Sequence, residues 1–284
     1  MSSQYEEVLT ILAINVIVAY GAFLPMAAGQ INLGIAGFMA IGAYAAGYIS
    51  NTYGVSPYVA IFVGAAAAAM IALAVARPVL RTRGIYLALV TFGLGEVVQA
   101  TFLNLDVVGG ASGYHVVDYI SAVGVFGFGL AVAVLMMLLF GTRFGLNVTA
   151  LHDDEAVAEV FGLHVRGFQI GAFVLGALLA GLGGALYGFH LGVLEPQHFG
   201  VLLSVYVVLY VLLGGVRTVI GPIVGAGIFT LMPEFLRGID EWRYVVFAVL
   251  IIVLMVFRPN GLVTQGLMEG ISGLWRRRSA SEAT

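Results

Sequence analysis

Long apolar runs alternate with short polar breaks along nearly the whole chain. The runs fall at about 8–24, 33–50, 57–76, 84–103, 120–140, 168–192, 201–214, 219–232 and 243–257. A helix crossing the hydrocarbon needs roughly 20 apolar residues, so the pattern predicts an all-α, polytopic transmembrane bundle of about nine membrane segments. Two places fit a simple span poorly. Pro25, Gly29 and Gly34 interrupt AAGQINLG, and Gly214, Gly215, Gly221 and Pro222 interrupt LLGGVRTVIGP. The runs 201–214 and 219–232 are short for full crossings. Either these are ordinary loops, or they are broken, re-entrant stretches. Unwound backbone at membrane depth is tolerated only where it faces protein or water, as along a solute route.

One polar segment is longer than the rest. Residues 142–167 read TRFGLNVTALHDDEAVAEVFGLHVRG between two apolar runs. Asp153, Asp154 and Glu155 sit where a helix would begin, since acidic groups suit the positive end of a helix dipole. Ala156, Val157, Val160 and Phe161 then share one helical face, with Glu155, Ala158, Glu159 and Gly162 on the other. The spacing predicts a short amphipathic helix that lies on the membrane face or in a partner's groove. The competing reading is a solvated loop helix packed on its own bundle.

Within the run 168–192, Ala172, Gly176, Ala180, Gly184 and Gly188 place a small residue at every fourth position. Such a ridge lets another helix approach closely and says nothing about substrate. Glu96 lies inside an apolar run, where a carboxylate is a functional candidate by default. It could instead pair with a neighbour near the end of its helix. Gln30 and Asn32, at the first break, either hydrogen-bond a polar solute or satisfy freed backbone groups. Arg217 is either a contact at the cytoplasmic side or a buried charge. The five His show no pairing at helical spacing, which argues against a metal site.

Composition sharpens this picture. Apolar residues make up 61% of the 284 and charged ones 10%, against roughly 25% charged in a soluble domain. There is no Cys, which excludes disulfides and thiolate chemistry. All 12 basic residues are Arg. Without Lys the chain has no phosphate-binding loop of the Gly-Lys-Ser/Thr kind and cannot hydrolyse ATP by that route. A net charge of −3 with no basic patch gives no sign of nucleic acid binding. The opening MSSQYEE lacks a positive region, so Val8 onward reads as a first span and not as a cleaved signal. Arg77, Arg81, Arg83, Arg143, Arg166, Arg258 and Arg276 to Arg278 fall on one side if the N-terminus is outside and the C-terminus, with a tail 266–284, is cytoplasmic. Only Arg237 and Arg243 break that rule, beside Asp240 and Glu241.

Seven stretches, taken together and in order, carry a resemblance. They are AGQINLGIAGFMAIGAY (28–44), RTRGIYLALVTFGLGEVV (81–98), GGASG (109–113), ALHDDEAVAEVFGLHV (150–165), AFVLGALLAGLGGALYG (172–188), LLGGVRTVIGPIVGA (212–226) and FRPNGL (257–262). The chain resembles the branched-chain amino acid ABC transporter permease family, more its LivM type than its LivH type. The resemblance implies a single transmembrane permease domain over 1–284 in the cell (inner) membrane, itself no enzyme and without a cofactor. Its implied partners are a LivH-like second permease, two cytoplasmic ATP-binding subunits and a solute-binding protein outside. It also implies alternating access. Residues 142–167 would be the coupling segment, with His152, Asp153, Asp154, Glu155, Ala156, Glu159, Phe161 and Gly162 docking in the ATPase. Gln30, Asn32, Gly34, Glu96, Gly215, Thr218 and Gly221 are the candidates for the substrate path. The family often carries Arg near positions 147 and 152, where this chain has Asn147 and His152. The alternative reading is an ion-coupled secondary transporter with Glu96 as the coupling carboxylate.

Overall fold

The computed structural model describes residues 2–235 and, beyond them, 245–246, 248–249, 252–253, 256, 258 and 261–263. Apart from those isolated positions, the expected run 243–257 lies outside the described residues, as does the expected tail 266–284.

Each of the first eight apolar runs forms a helix. These are α1 (Ser2–Ala27), α2 (Ile35–Tyr53), α3 (Pro57–Val79), α4 (Ile85–Leu103), α5 (Ala122–Phe140), α8 (Val165–Leu191), α9 (Val201–Gly214) and α10 (Gly221–Phe235). Two short helices, α6 (Arg143–Asp153) and α7 (Glu155–Val160), make up the polar segment. Among the described residues, five stretches are long and apolar enough to cross a membrane: Tyr5–Ala27 and the whole of α3, α4, α5 and α8. The sequence predicts about nine membrane segments, and the helical bundle is consistent with a multi-pass protein.

The helix α8 is the centre of the bundle, packed on α1, α2 and α3. Its small-residue ridge is what allows this. Ala172 and Ala180 are fully buried. A Cβ on Gly184 would overlap the Met39 carbonyl of α2, and one on Gly176 would overlap the Gly21 carbonyl of α1. A third side of α8 meets α3, where a Cβ on Gly181 would lie 2.6 Å from Ala68 Cβ. Backbones this close gain dispersion contacts that lipid cannot supply. The helix α2, rich in Gly and Ala, is sandwiched here and largely buried.

At one end of the bundle, β1 (Tyr114–His115) pairs antiparallel with β2 (Val193–Leu194). The Tyr44 hydroxyl donates to Leu194 O at 3.0 Å, and the Ser50 hydroxyl donates to the Asp118 carboxylate. A 3-10 turn, Pro196–Phe199, follows β2. The Gln99 amide of α4 donates to the carbonyls of Pro196 and Gln197, at 3.1 and 3.3 Å. The 3-10 turn is therefore held against α4 before α9 begins.

At the other end lie α6 and α7. Thr142 caps α6, its hydroxyl accepting from Phe144 N at 3.2 Å. Gly145, Val148 and Leu151 form the buried face. The acidic run predicts a helix start only at Asp153 to Glu155, and α6 precedes it. The three-residue spacing of the buried face was its only signal. Asp154 begins α7 as expected, its Oδ1 accepting from Ala156 N and Val157 N at 2.9 and 3.0 Å.

Candidate functional site

Two sets of candidate residues emerge, at different depths. The first surrounds the break between α1 and α2. Gly29, at φ 78°, turns the chain out of α1, in the left-handed region that favours glycine. His152 Nδ1 lies 3.1 Å from Met26 O, so the island touches the start of the break. Residues 28–34 then run from the island to the middle of α4. There Leu33 N donates to Thr91 Oγ1 at 3.0 Å, and a Cβ on Gly34 would come within 2.7 Å of Thr91 O. At the start of α2, Ala36 N donates to Ser204 Oγ of α9 at 3.0 Å.

Glu96 belongs to the same crossing. The preceding residue, Gly95, would meet a Cβ on Gly37 at 3.0 Å. Glu96 Oε1 accepts from Val201 N at 3.2 Å. The residue at the N-cap of α9 is Gly200, which has no side chain to offer. A carboxylate from α4 thus satisfies one orphan N–H of α9 and sits at the positive end of its dipole.

Gln30 and Asn32 are 4% and 1% exposed. Asn32 Oδ1 accepts from Gly34 N at 2.8 Å, holding the turn into α2. Asn32 Nδ2 and Gln30 Oε1 have no partner, although both are buried. An unpaired buried donor or acceptor costs about 1–3 kcal/mol, so these two atoms, like the Tyr20 hydroxyl in the core, leave room for a water or a polar solute.

The second set gathers at the island. Gly215, Thr218 and Gly221 lie here and not at the α1–α2 break. They form the tight turn between α9 and α10. Arg217 in that turn pairs with Asp153 at 2.9 Å. Leu262 N and Val263 N donate to Leu213 O and Gly214 O, and the Thr218 hydroxyl donates to Val263 O at 3.1 Å. The LLGGVRT stretch therefore packs on residues 261–263. A second ion pair, Arg83 to Glu155 at 3.1 Å, ties α7 to the loop before α4.

The larger apolar side chains of α7 face outward. Ala158 is buried with Leu151 and Val165. Val157, Val160 and Phe161 point away, with Val160 87% and Phe161 82% exposed. The small Ala158 permits close approach to the bundle, leaving the bulky side chains outward. Glu159 and Gly162 are also exposed. Sequence reasoning missed Thr91 and Ser204, whose hydroxyls hold the first break. Their partners lie 58 and 168 residues away, and their only local trace is a hydroxyl within an apolar run.

Comparison with known proteins gives the same direction. The family described as "Branched-chain amino acid transport system / permease component" matches residues 4–255. The chain is 26% identical to the high-affinity branched-chain amino acid transport system permease protein LivM of Escherichia coli K12, over 90% of this chain and 69% of that protein. It matches the LivM protein of Salmonella typhimurium to the same extent. It is 21% identical to a probable branched-chain amino acid transport permease protein LivH of Methanocaldococcus jannaschii, over 91% of this chain and 89% of that one. No solved structure matches. These relatives are transport permeases and not enzymes, and they lend no support to an ion-coupled alternative. With its apolar helices and a family match over most of its length, the chain belongs to the branched-chain amino acid transport system permease component family.

Proposed function

We propose that the chain is one of two permease subunits lining the pore of an ATP-driven importer. Its cargo would be a branched-chain amino acid or a related small polar or organic-acid solute. Two cytoplasmic ATPases and an external solute-binding protein complete the assembly, with a LivH-like chain as the second permease. The domain spans 1–284 with nine membrane segments, the N-terminus outside and the tail 266–284 in the cytoplasm. In this reading 142–167 is the coupling segment, and transport proceeds by alternating access. Residues 28–34, with Gln30, Asn32 and Gly34, lie on the substrate path, which their unpaired buried atoms support. Residues 193–200 followed by the short α9 make a broken span. Glu96 braces that span, and Gly215, Thr218 and Gly221 transmit motion from the island instead of touching solute.

The observation that carries the proposal is the outward apolar face of α7. Val157 and Val160 of α7, and Phe161 just after it, are exposed, on a segment that ion pairs at Glu155 of α7 and Asp153 of α6 fasten to the bundle. An apolar patch presented on a fastened, polar segment fits a groove in a soluble partner. The chain lacks Lys, so ATP hydrolysis must come from another polypeptide.

The test is co-purification from native membranes with V160D/F161D as the variant. Both side chains are exposed, so the bundle should fold normally. A phosphate-loop ATPase should accompany the wild type and be lost from the variant. Equal recovery of the ATPase with both, or proton-driven uptake by this chain alone, would overturn the proposal.

A further inference from the structure

Between the ends of α3 and α8, on the island side, lies a cavity of about 230 Å³ lined by Arg77, Leu80, Arg81, Arg166, Gln169 and Ile170. Among the described residues, none of its three arginines is in an ion pair; the arginines that are, Arg83 and Arg217, lie elsewhere. Arg77 and Arg81 flank the C-terminal end of α3, where cations suit the dipole. Arg166 does not fit that account. It occupies the first turn of α8, which has no acidic residue there and no side-chain cap. All three arginines are exposed, and a guanidinium at a positive helix end beside two others makes a place where an anion is favoured over water.

We propose that this cavity binds the phosphodiester of an anionic phospholipid. Guanidinium groups match phosphate oxygens in bidentate fashion and give up water readily. The volume exceeds the ~30 Å³ of a single water several-fold, leaving room for a headgroup. Leu80 and Ile170 supply an apolar wall that a free ion would not need. Met70 and Leu73, which precede Arg77 at helical spacing, are exposed and lead toward the apolar middle of α3. An acyl chain has a surface to follow. Basic pockets between membrane helices at the cytoplasmic side recognise anionic headgroups in this way. Arg166 belongs to the proposed coupling segment, but lipid binding is measured on this chain alone and its test requires no ATPase.

The full chain, purified and delipidated in neutral detergent, is titrated with phosphatidylglycerol or phosphatidylcholine and read by native mass spectrometry. Wild type and R143Q, which loses one exposed Arg at the same end, should bind phosphatidylglycerol alike and in preference to phosphatidylcholine. R77Q/R81Q/R166Q should bind it about 100-fold more weakly. Should that variant not fold, R166Q alone reads the same site through a roughly fivefold loss. Unchanged affinity in a folded cavity variant, or an equal loss in R143Q, overturns the proposal. Displacement by millimolar inorganic phosphate assigns the site to the free ion and overturns the lipid.

Discussion

Replacing Glu96 separates a carboxylate that braces a helix from one that carries a proton. In the structure Glu96 Oε1 accepts from Val201 N at 3.2 Å, where Gly200 gives α9 no cap of its own. A hydrogen bond to a charged acceptor contributes about 1.5–3 kcal/mol, and the helix-end charge a further ~0.3–1 kcal/mol. The contact is long and Glu96 is half-buried, so the low ends apply. Glu96→Ala should then cost about 2 kcal/mol, or roughly 4–8 °C in melting temperature for a chain of this size. Glu96→Gln keeps an oxygen acceptor and loses only the charge, so about 0.5–1 kcal/mol is expected. Circular dichroism melts of the purified variants measure both. Uptake by the reconstituted assembly supplies the second reading: Glu96→Gln should transport within a few-fold of wild type, with unchanged dependence on external pH. If Glu96→Gln melts like wild type yet abolishes uptake, the bracing role is wrong and the carboxylate is chemically required.

Two further substitutions probe the ridge and the island. Gly184→Ala drives a methyl into the Met39 carbonyl and should destabilise by at least 1–3 kcal/mol, about the usual cost of overpacking. Gly171→Ala, on the same helix with nothing within 4 Å, should stabilise by up to about 1 kcal/mol; comparable melts for the two would deny the ridge its packing role. Asp153 and Arg217 are each about half exposed, so Arg217→Asp should cost no more than about 1 kcal/mol of stability while impairing ATP-driven uptake. The exchange Asp153→Arg with Arg217→Asp should recover much of that uptake, and failure of the single variant to impair it would remove the pair from the coupling route.

Much of this architecture was legible because membrane helices announce themselves by run length. The first eight runs became helices, and the largest boundary error, at α1, arose where Gln4, Glu6 and Glu7 hide a helical turn from a hydropathy count. Gln30 and Asn32 stood out as polar residues beside Gly and Pro, and they are buried with unpaired atoms. The rest depended on partners far along the chain. The short α9 ends at the glycine turn that the sequence singled out, while the 3-10 turn that Gln99 holds before it had no local signal. Nothing local to GGVRT points to Asp153 or to Val263. Periodicity set the apolar face of α7 at Val157, Val160 and Phe161, but it put Ala158, which packs inward, on the polar side.

The central place of α8 has a consequence for biogenesis. Ribosomes deliver α1, α2 and α3 to the bilayer roughly a hundred residues before the helix that joins them. Until α8 arrives, Gly21 and Gly42 present bare backbone clefts, while Gly64 already packs α3 on Gly42 of α2, and α1 has little contact with α2. The α2–α3 hairpin can therefore close early, whereas α1 must wait apart from it. Assembly is completed by a late helix that joins α1 to that hairpin. A nascent chain stalled before Val165 would leave α1 unattached, exposed to the quality-control proteases of the membrane.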